Sequence, residues 1–446
     1  MKKLITTLLV AISLLLVSCS FDPFENWDNK YDIPENWIPR VAASNNNSIF
    51  SISSGTMIGV VYQQISPGKY IPTGLTDGRA LGISPNGEWS AYSSTGAFVN
   101  QSGIYESFKS GSWSQIVNYR TSSFQMSVDS PLELDNSGNA FWISEVVKGG
   151  DHQNGLLPGY YLLETSSSGN IKIIAFSSAI TWFSVDSQYP LVAFGSMSNS
   201  RYQLEIYNYQ TRKIIFTWNK HDVRQMYWTA DGKILYFVAY RLQSDPDPGF
   251  ASNYQPSSLY EYINGKVKDI LNNIFGRAPG GDLTIDPVND HLLGLLAWRP
   301  MGSLGASSLW LLNAENKKVI KIVSYEQGPS WTNPYGFSAD GKYLAFETPS
   351  GEYSEIGIYD LETHELIHPD WNKYFSYSVN YGDAAWEGNS LIFMFGYKPN
   401  NCKGICRATV ASFDPVSNRF TILAVRPGAN QARSLGLCGG NTGLTC

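Results

Sequence analysis

Along most of the chain, short runs of alternating apolar residues follow a four-residue turn of the form Ser/Thr-x-Asp/Asn-Gly. The clearest copies of this turn lie at residues 84–87, 229–232 and 338–341, and each leads into apolar residues that include an aromatic one. Asn or Asp followed by Gly supplies the positive φ angles of a tight hairpin. Alternation of apolar and polar residues is typical of strands. The pattern therefore predicts β-hairpins.

When weaker copies of the turn are included, the turn recurs at regular intervals along the chain. They lie at residues 45–47, 135–138, 185–188, 287–290 and 387–388, so that eight turns recur about every 49 residues, close to the length of a four-stranded propeller blade. A second strand pair follows several turns, most clearly at 204–207 with 213–216, 309–312 with 319–322, and 357–360 with 365–367. The sequence predicts an all-β propeller of four-stranded antiparallel blades, with eight blades favoured over seven.

One blade carries a family resemblance. Ser-Ala-Asp-Gly-Lys-Tyr-Leu-Ala-Phe at 338–346, followed by Ile-Tyr-Asp-Leu-Glu-Thr at 358–363, resembles the WD-repeat-like blade of TolB-type periplasmic propellers. The resemblance covers roughly residues 40–425. It implies a β-propeller located in the cell envelope, in a family that includes envelope scaffolds.

The first residues predict export. A basic start, Met1-Lys2-Lys3, precedes an apolar run at 4–17, as in a secretory signal peptide. Leu16-Val17-Ser18-Cys19 resembles the lipobox of bacterial lipoproteins, which implies that Cys19 is acylated with fatty acids such as palmitate. Ser20 in place of Asp after that cysteine favours the outer membrane in a Gram-negative host.

These features predict four segments. They are a lipoprotein signal peptide at 1–18, the acylated cysteine with a tether at 19–38, the propeller at 39–425, and a Gly-rich, Cys-containing tail at 426–446. Four cysteines lie near the C-terminus and are disulfide candidates in an exported chain: Cys402, Cys406, Cys438 and Cys446. All three pairings remain open. A zinc site is the less favoured alternative because the C-x3-C and C-x7-C spacings are loose for one.

Charge narrows the choice of partners. The chain has 32 Lys and Arg against 38 Asp and Glu, a net charge of −6, and only 16% charged residues, whereas an average chain has about 25%. This composition predicts an ordered β protein without the basic surface that nucleic acid requires. The predicted contacts are with the membrane, through the lipid, and with envelope proteins, while the oligomeric state stays open.

Long connections predict where a partner binds. Those between the second and third strands, at 146–159, 241–258, 299–308 and 398–406, belong to one face of the disc, since consecutive connections of a blade alternate between faces. Tolerated surface decoration is the alternative reading of these segments. Aromatic residues and Arg are frequent at interfaces, and the partner-binding candidates are Asp151, His152, Arg241, Phe250, Tyr254, Arg299, Met301, Tyr397 and Lys398.

Catalytic motifs are weak. His364-Glu-Leu-Ile-His368 matches H-E-x-x-H, but that zinc motif requires a helix, and the segment is predicted as a strand hairpin. No G-x-S-x-G motif occurs, and no catalytic residue, metal or cofactor is predicted. The sequence favours a membrane-anchored interaction scaffold without enzymatic activity. The alternative is a propeller that binds or cleaves glycans at the cell surface or in the periplasm, with carboxylates converging at the central funnel.

Overall fold

The protein is an eight-bladed β-propeller. The computed structural model describes residues 37–44, 46–54, 59–67, 69–76, 80–94, 102–127, 130–147, 155–198, 201–240, 257–272, 283–301, 304–324, 334–350, 353–367, 379–397 and 407–423. These residues form thirty-two strands and no helix. Within them, accordingly, no helix is long and apolar enough to cross a bilayer.

The first four blades each consist of four consecutive strands. Blade 1 has β1 (Trp37–Ala43), β2 (Ser48–Ser54), β3 (Gly59–Ser66) and β4 (Lys69–Thr76), and blade 2 has β5 (Leu81–Ile83), β6 (Trp89–Ser94), β7 (Gly103–Phe108) and β8 (Ser114–Asn118). Blade 3 has β9 (Leu132–Leu134), β10 (Ala140–Val146), β11 (Gly159–Thr165) and β12 (Ile171–Ser177), and blade 4 has β13 (Ile180–Val185), β14 (Leu191–Ser198), β15 (Arg201–Asn208) and β16 (Lys213–Trp218).

The second half of the chain repeats this arrangement. Blade 5 has β17 (Asp222–Trp228), β18 (Ile234–Tyr240), β19 (Ser257–Ile263) and β20 (Lys266–Asn272), and blade 6 has β21 (Leu283–Ile285), β22 (Leu292–Met301), β23 (Leu304–Asn313) and β24 (Lys318–Ser324). Blade 7 has β25 (Pro334–Phe337), β26 (Tyr343–Ser350), β27 (Tyr353–Asp360) and β28 (Leu366–Ile367), and blade 8 has β29 (Val379–Glu387), β30 (Ser390–Tyr397), β31 (Arg407–Asp414) and β32 (Arg419–Ile422).

Each blade is an antiparallel meander in which neighbouring strands follow one another in the chain. The first strands of successive blades contact one another around the ring, so they are the innermost strands. The predicted fold class is confirmed, and eight is the number of blades. The first described strand begins at Trp37, two residues before the predicted start of the propeller.

Apolar side chains between neighbouring blades form the core. Strand β10 shows the principle, because its side chains alternate between two interfaces: Trp142 packs toward blade 2, and Phe141 and Ile143 pack toward blade 4. All three are buried, and each full burial of such a side chain contributes roughly 1.5–3 kcal/mol. Burial on both faces explains why a second strand such as β18 is apolar at every position rather than alternating.

The ring closes between blades 8 and 1 without exchange of a strand in the described chain, because both blades use four consecutive strands. Phe50 of blade 1 packs with Ile392 of blade 8 in one apolar cluster. Beside it, the carboxylate of Glu387 accepts hydrogen bonds from Ser48 Oγ (2.9 Å) and Gln64 Nε2 (2.8 Å). Closure therefore combines an apolar contact with a buried polar one.

The interface between blades 1 and 2 is more polar. Among the residues described, no apolar cluster joins these two blades, whereas one joins each other neighbouring pair. The contacts across it include hydrogen bonds from Asn47 Nδ2 to Gly87 O (3.1 Å) and Ser90 Oγ (3.0 Å), and from Gln63 Nε2 to Ser107 Oγ (3.4 Å).

The two faces of the disc differ in their connections. On the turn face, which carries the connections between first and second and between third and fourth strands, every connection has two to six residues. On the insertion face, which carries the other connections, they range from two to sixteen residues, the longest being 241–256.

One predicted insertion is wrong. Residues 299–301 and 304–308 do not form an irregular loop: they belong to β22 and β23, which pair from Leu292↔Asn313 to Met301↔Leu304 and leave only two residues between them. A two-residue connection is the commonest hairpin loop, so pairing continues to the tip. The strands have ten residues, against seven in β10, so the hairpin extends about 10 Å further at 3.3 Å per residue.

Candidate functional site

The recurrent turns are built from their own side chains. In blade 5, Thr229 Oγ1 donates to Asp231 Oδ1 (2.8 Å) and accepts from Ile234 N (3.1 Å). In blade 7, Ser338 Oγ donates to Asp340 Oδ1 (2.7 Å) and accepts from Tyr343 N (3.1 Å). The Ser/Thr and Asp of the repeat thus satisfy backbone groups of the hairpin, and these residues have a structural role.

The same turns also join neighbouring blades on the turn face. Asn136 Oδ1 of blade 3 accepts from Asn86 N of blade 2 (2.9 Å), and Asn136 Nδ2 donates to Ser187 O of blade 4 (2.8 Å). Ser187 Oγ in turn donates to Ala230 O of blade 5 (3.2 Å). Between blades 7 and 8, Asp340 N donates to Asn389 Oδ1 (3.1 Å).

Glycine is required at two of these turns for a further reason besides its positive φ angle. A β-carbon on Gly232 of blade 5 would collide with the carboxylate of Asp186 in blade 4, and one on Gly341 of blade 7 would collide with that of Asp286 in blade 6. The φ angles are +70° and +69°. The Gly of the repeat therefore permits both the hairpin and the close approach of the preceding blade.

A polar cleft lies on the turn face between blades 3 and 4, with a volume of about 580 Å³. Its walls come from the turn at 135–139 and the start of β12 in blade 3, and from the turns at 186–190 and 209–212 in blade 4. The volume is within the range of small-molecule sites, roughly 300–1,000 Å³. This cleft is the candidate functional site.

Acidic groups in the cleft are matched by donors. Asp135 accepts from the backbone N of Ser137 (2.9 Å) and Asn139 (2.8 Å), from Asn139 Nδ2 (2.7 Å) and from Tyr209 OH (3.2 Å). Glu164, with 5% of its side chain exposed, forms an ion pair with Lys172 Nζ at 2.8 Å. Burial, together with the nearby carboxylate of Asp135, raises the pKa of Tyr209, so its hydroxyl is a stable donor at neutral pH.

Asp186 is the least satisfied carboxylate of the cleft. Its Oδ1 accepts from Gln188 N (2.8 Å) and Tyr189 N (3.2 Å), whereas Oδ2 is buried with no hydrogen-bond partner among the described residues. Burial raises the pKa of Asp186 to about 6, against the lowering effect of the two backbone donors. Both carboxylate oxygens lie close to where a β-carbon on Gly232 would be placed.

The open side of the cleft combines an aromatic ring with polar groups. Tyr189 is 48% exposed, and Arg212, Ser137 and Gln210 are exposed as well. None of these four side chains makes a hydrogen bond or an ion pair with the rest of the described chain. They are therefore the groups that are free to contact a ligand.

Three of the residues predicted to bind a partner are among the described ones, and none of the three lines this cleft. Arg299 and Met301 are in β22, close to the tip of its hairpin, and Tyr397 ends β30. The remaining candidates, Asp151, His152, Arg241, Phe250, Tyr254 and Lys398, lie outside the described residues, as do Cys19, Cys402, Cys406, Cys438 and Cys446. Interaction through these residues remains a prediction.

The H-E-x-x-H letters do not form a zinc helix in the described part of the segment. His364 lies in the turn between β27 and β28 with a φ of 62°, and its Nδ1 is 3.2 Å from Tyr359 OH. His368 lies outside the described residues. Across the part of the chain that the structure describes, no three His, Cys, Asp or Glu residues are grouped so as to hold a metal ion.

Sequence reasoning missed the cleft because its walls come from residues far apart in the chain. One signal was present: the turns of blades 3 and 4 begin with Asp135 and Asp186 where the clear copies have Ser or Thr. A carboxylate at this position accepts the turn's backbone N–H groups by itself. Acidic groups in two adjacent turns indicate a polar seam between those blades.

Similar solved structures agree with the fold. No protein-family profile and no curated protein matches this chain. A GH74 enzyme from Niastella koreensis superposes with a TM-score of 0.52 at 12% identity, over 87% of this chain and 66% of the enzyme. Dipeptidyl peptidase 4 from Porphyromonas gingivalis has a TM-score of 0.52 at 13% identity, over 79% of this chain and 54% of the peptidase.

A TolB-type propeller is among the similar structures too. TolB from Acinetobacter baumannii matches at 13% identity over 67% of this chain and 79% of TolB, with a TM-score of 0.34. This chain spans less than two thirds of the GH74 enzyme and about half of the peptidase. At these identities the comparisons define the class of protein, a β-propeller, and the fold alone.

Proposed function

We propose that the protein is an exported lipoprotein, anchored in the cell envelope through acylated Cys19, whose propeller is a scaffold for other envelope proteins. The observation that carries the scaffold role is the difference between the two faces. Connections on the turn face never exceed six residues, and its turns are joined by hydrogen bonds between blades. Connections on the insertion face reach sixteen residues, and variable loops on a rigid frame are where binding residues concentrate.

The anchor is tested first. Cys19→Ala should prevent acylation, and labelled palmitate should enter the wild-type protein but not the variant. Because an uncleaved signal peptide could itself retain the variant in the membrane, the matched control replaces residues 1–19 with a cleavable secretory signal lacking a lipobox. Recovery of this control with the membranes, in the absence of the lipid, would contradict the proposed anchor. Separation of the two membranes by density then tests the outer-membrane location.

The scaffold role is tested by capture of crosslinked proteins from native membranes. Tyr240 and Ser257 pair directly at the ends of β18 and β19, so a short Gly-Ser linker can replace residues 242–255 without separating the strands. We expect this variant to fold and to lose a captured partner. Val146 and Gly159 pair in the same way, so shortening 148–157 is the matched variant that locates the site within the face.

The captured proteins show whether the long connections bind a partner or are only tolerated surface loops. A Val288→Ala control, at a 66% exposed position of the turn face outside the cleft lining, should retain every partner. If the wild-type protein and both shortened variants return the same background proteins, the long connections are decoration and the scaffold role is wrong.

The described site supports glycan cleavage less well than glycan binding. Canonical glycoside hydrolysis needs an acid and a second carboxylate, both free to act on the sugar. In the cleft, Asp135 is held by four donors and Glu164 by Lys172. These carboxylates stabilise the walls, so binding fits the described geometry better than cleavage.

A further inference from the structure

The cleft between blades 3 and 4 lies on the turn face, opposite the long connections, so its role goes beyond the proposed scaffold and does not depend on it. Its walls are preformed. Asn136 Nδ2 donates to Ser187 O (2.8 Å), and Tyr209 OH donates to Asp135 Oδ2 (3.2 Å), and both bonds cross from one blade to the other. A preformed site loses little conformational entropy when a ligand binds.

The charges of the cleft argue against a cationic ligand. Lys172 and Glu164 neutralise each other at 2.8 Å, and Asp135 is surrounded by donors. Asp186 is 1% exposed, and a charged ligand cannot reach a carboxylate so deeply buried. Among the described groups that line the cleft, Arg212 carries the single exposed charge that has no partner. An ionic ligand would therefore meet this charge and no other unpaired one.

The free groups of the cleft argue for a ligand with hydroxyls and an apolar face. Ser137, Gln210 and Arg212 offer neutral or cationic hydrogen-bonding groups at its open side. Tyr189, which is 48% exposed, offers a ring face and a hydroxyl, the amphipathic combination that suits partly wet binding sites. A pyranose ring presents C–H groups on its face and hydroxyls around its edge, which matches this set.

We propose that the cleft between blades 3 and 4 binds a neutral oligosaccharide, with Tyr189 against a sugar face and Arg212 donating to hydroxyls. This places glycan recognition on the turn face, away from the central funnel. No bond is made or broken in the proposed event.

The test uses the full acylated chain, purified in a detergent without a sugar headgroup because such a headgroup would compete. The probes are maltotetraose, cellotetraose, mannotetraose and N-acetylated chitotetraose. Ligand-detected saturation-transfer NMR identifies a bound probe, and calorimetric titration gives its affinity. We expect at least one probe to bind saturably and its ring C–H protons to receive the strongest transfer.

Three variants locate the site. Tyr189→Ala should weaken binding about fivefold, since an aromatic contact of this kind contributes on the order of 1 kcal/mol, and Arg212→Ala should weaken it severalfold. Phe108→Ala is the matched control, because Phe108 is a 44% exposed aromatic residue on blade 2 outside the cleft lining, and it should bind as wild type. Thermal unfolding confirms that each variant is folded, and Arg212→Ala, at an exposed site, keeps the test informative if Tyr189→Ala unfolds.

Three outcomes would overturn the proposal. The first is no saturable binding of any of the four probes. The second is binding that neither cleft variant weakens, which would place the site elsewhere. The third is binding of charged oligosaccharides or basic peptides in preference to neutral sugars. Because captured proteins depend on the insertion face, failure here leaves the scaffold test unaffected.

Discussion

Replacement of Glu106 should change how the stability of the propeller depends on pH. Glu106 lies in β7 of blade 2, is 3% exposed, and its Oε1 has no hydrogen-bond partner in the described structure. In β11 and β19 the corresponding glutamates face a lysine on the fourth strand: Glu164 pairs with Lys172 and Glu261 with Lys268, both at 2.8 Å.

The residue opposite Glu106 explains why its carboxyl group, unlike those of Glu164 and Glu261, has no cation beside it. In the register of β7 and β8, Glu106 faces Ser114, so no cation compensates its charge. Burial, and secondarily the carboxylate of Asp135 in the next blade, raise the pKa of Glu106 from 4.5 to about 8. The folded protein therefore keeps this carboxyl protonated at neutral pH, whereas the unfolded chain ionises it near pH 4.5.

The sign of the effect follows from proton binding. Between pH 4.5 and 8 the folded state holds one proton more than the unfolded state at this site, so the free energy of unfolding falls as pH rises. Each pH unit within that window costs somewhat more than about 1 kcal/mol, which amounts to about 3 kcal/mol by pH 7. Below pH 4.5 the carboxyl is protonated in both states and contributes no slope.

The assay compares three proteins by denaturant unfolding at pH 5, 6, 7 and 8. Glu106→Gln should remove the contribution of this site, so its free energy of unfolding should decline less steeply than that of wild type. Ser114→Lys supplies the cation that blades 3 and 5 have, and it should lower the pKa of Glu106 and reduce the slope as well. Glu133, whose pKa burial also raises to about 8, contributes equally to all three proteins and cancels in the comparison.

Two results would refute this reasoning. Parallel curves for wild type and Glu106→Gln would show that Glu106 is ionised in the folded protein or that water satisfies it. A decline for Ser114→Lys equal to that of wild type would show that the lysine does not reach the carboxylate.

Three further predictions concern contacts within and between blades. Gly232→Ala should lower the free energy of unfolding by a few kcal/mol, more than Gly265→Ala, because both glycines have positive φ angles but only a β-carbon on Gly232 meets a neighbouring blade. Lys172→Met should leave the carboxylate of Glu164 buried without its partner, costing about 1–2 kcal/mol as measured by denaturant unfolding. Glu387→Ala should lower the thermal midpoint by a few degrees because it removes three hydrogen bonds, from Ser48, Gln64 and Tyr70, that close the ring.

Each of these has a result that would count against it. If Gly232→Ala and Gly265→Ala lower the free energy of unfolding equally, backbone strain, and not contact between blades, determines the destabilisation. A loss of unfolding free energy for Lys172→Met that is just as large in a Glu164→Gln background would assign the effect to packing of the lysine stem. An unchanged midpoint for Glu387→Ala would mean that the apolar contacts of Phe50 and Ile392 close the ring by themselves.

Much of the fold could be predicted because its signals are local. Each Ser/Thr-x-Asp/Asn-Gly turn is held by hydrogen bonds between residues two to five apart, as from Thr229 to Asp231 and Ile234. Even weak copies of the turn, such as 135–138 and 287–290, lie between first and second strands. Their spacing alone therefore indicated eight blades.

The exception in the fold was the segment at 299–308. It was predicted as a long connection, yet residues 299–301 and 304–308 continue a ladder whose register runs from Leu292↔Asn313 onward. A segment's own residues do not show how far its strands extend, because pairing depends on the partner strand.

The candidate site could not be predicted in the same way, because it depends on residues that meet only when blades pack. Asn136 and Ser187 are 51 residues apart, and Tyr209 and Asp135 are 74 apart. Glu106 has an ordinary sequence context, and its raised pKa arises from burial and from Asp135 on another blade.

The sequence by itself thus determined the strands, the turns and their number, because hairpin geometry and alternation are properties of neighbouring residues. Tertiary structure alone decided which blades share apolar or polar interfaces, how Glu387 closes the ring on Ser48, and where a cleft remains. These features arise from contacts as far as 339 residues apart along the chain. The physical reason is that burial and charge compensation depend on what packs against a side chain, and no local pattern specifies that neighbour.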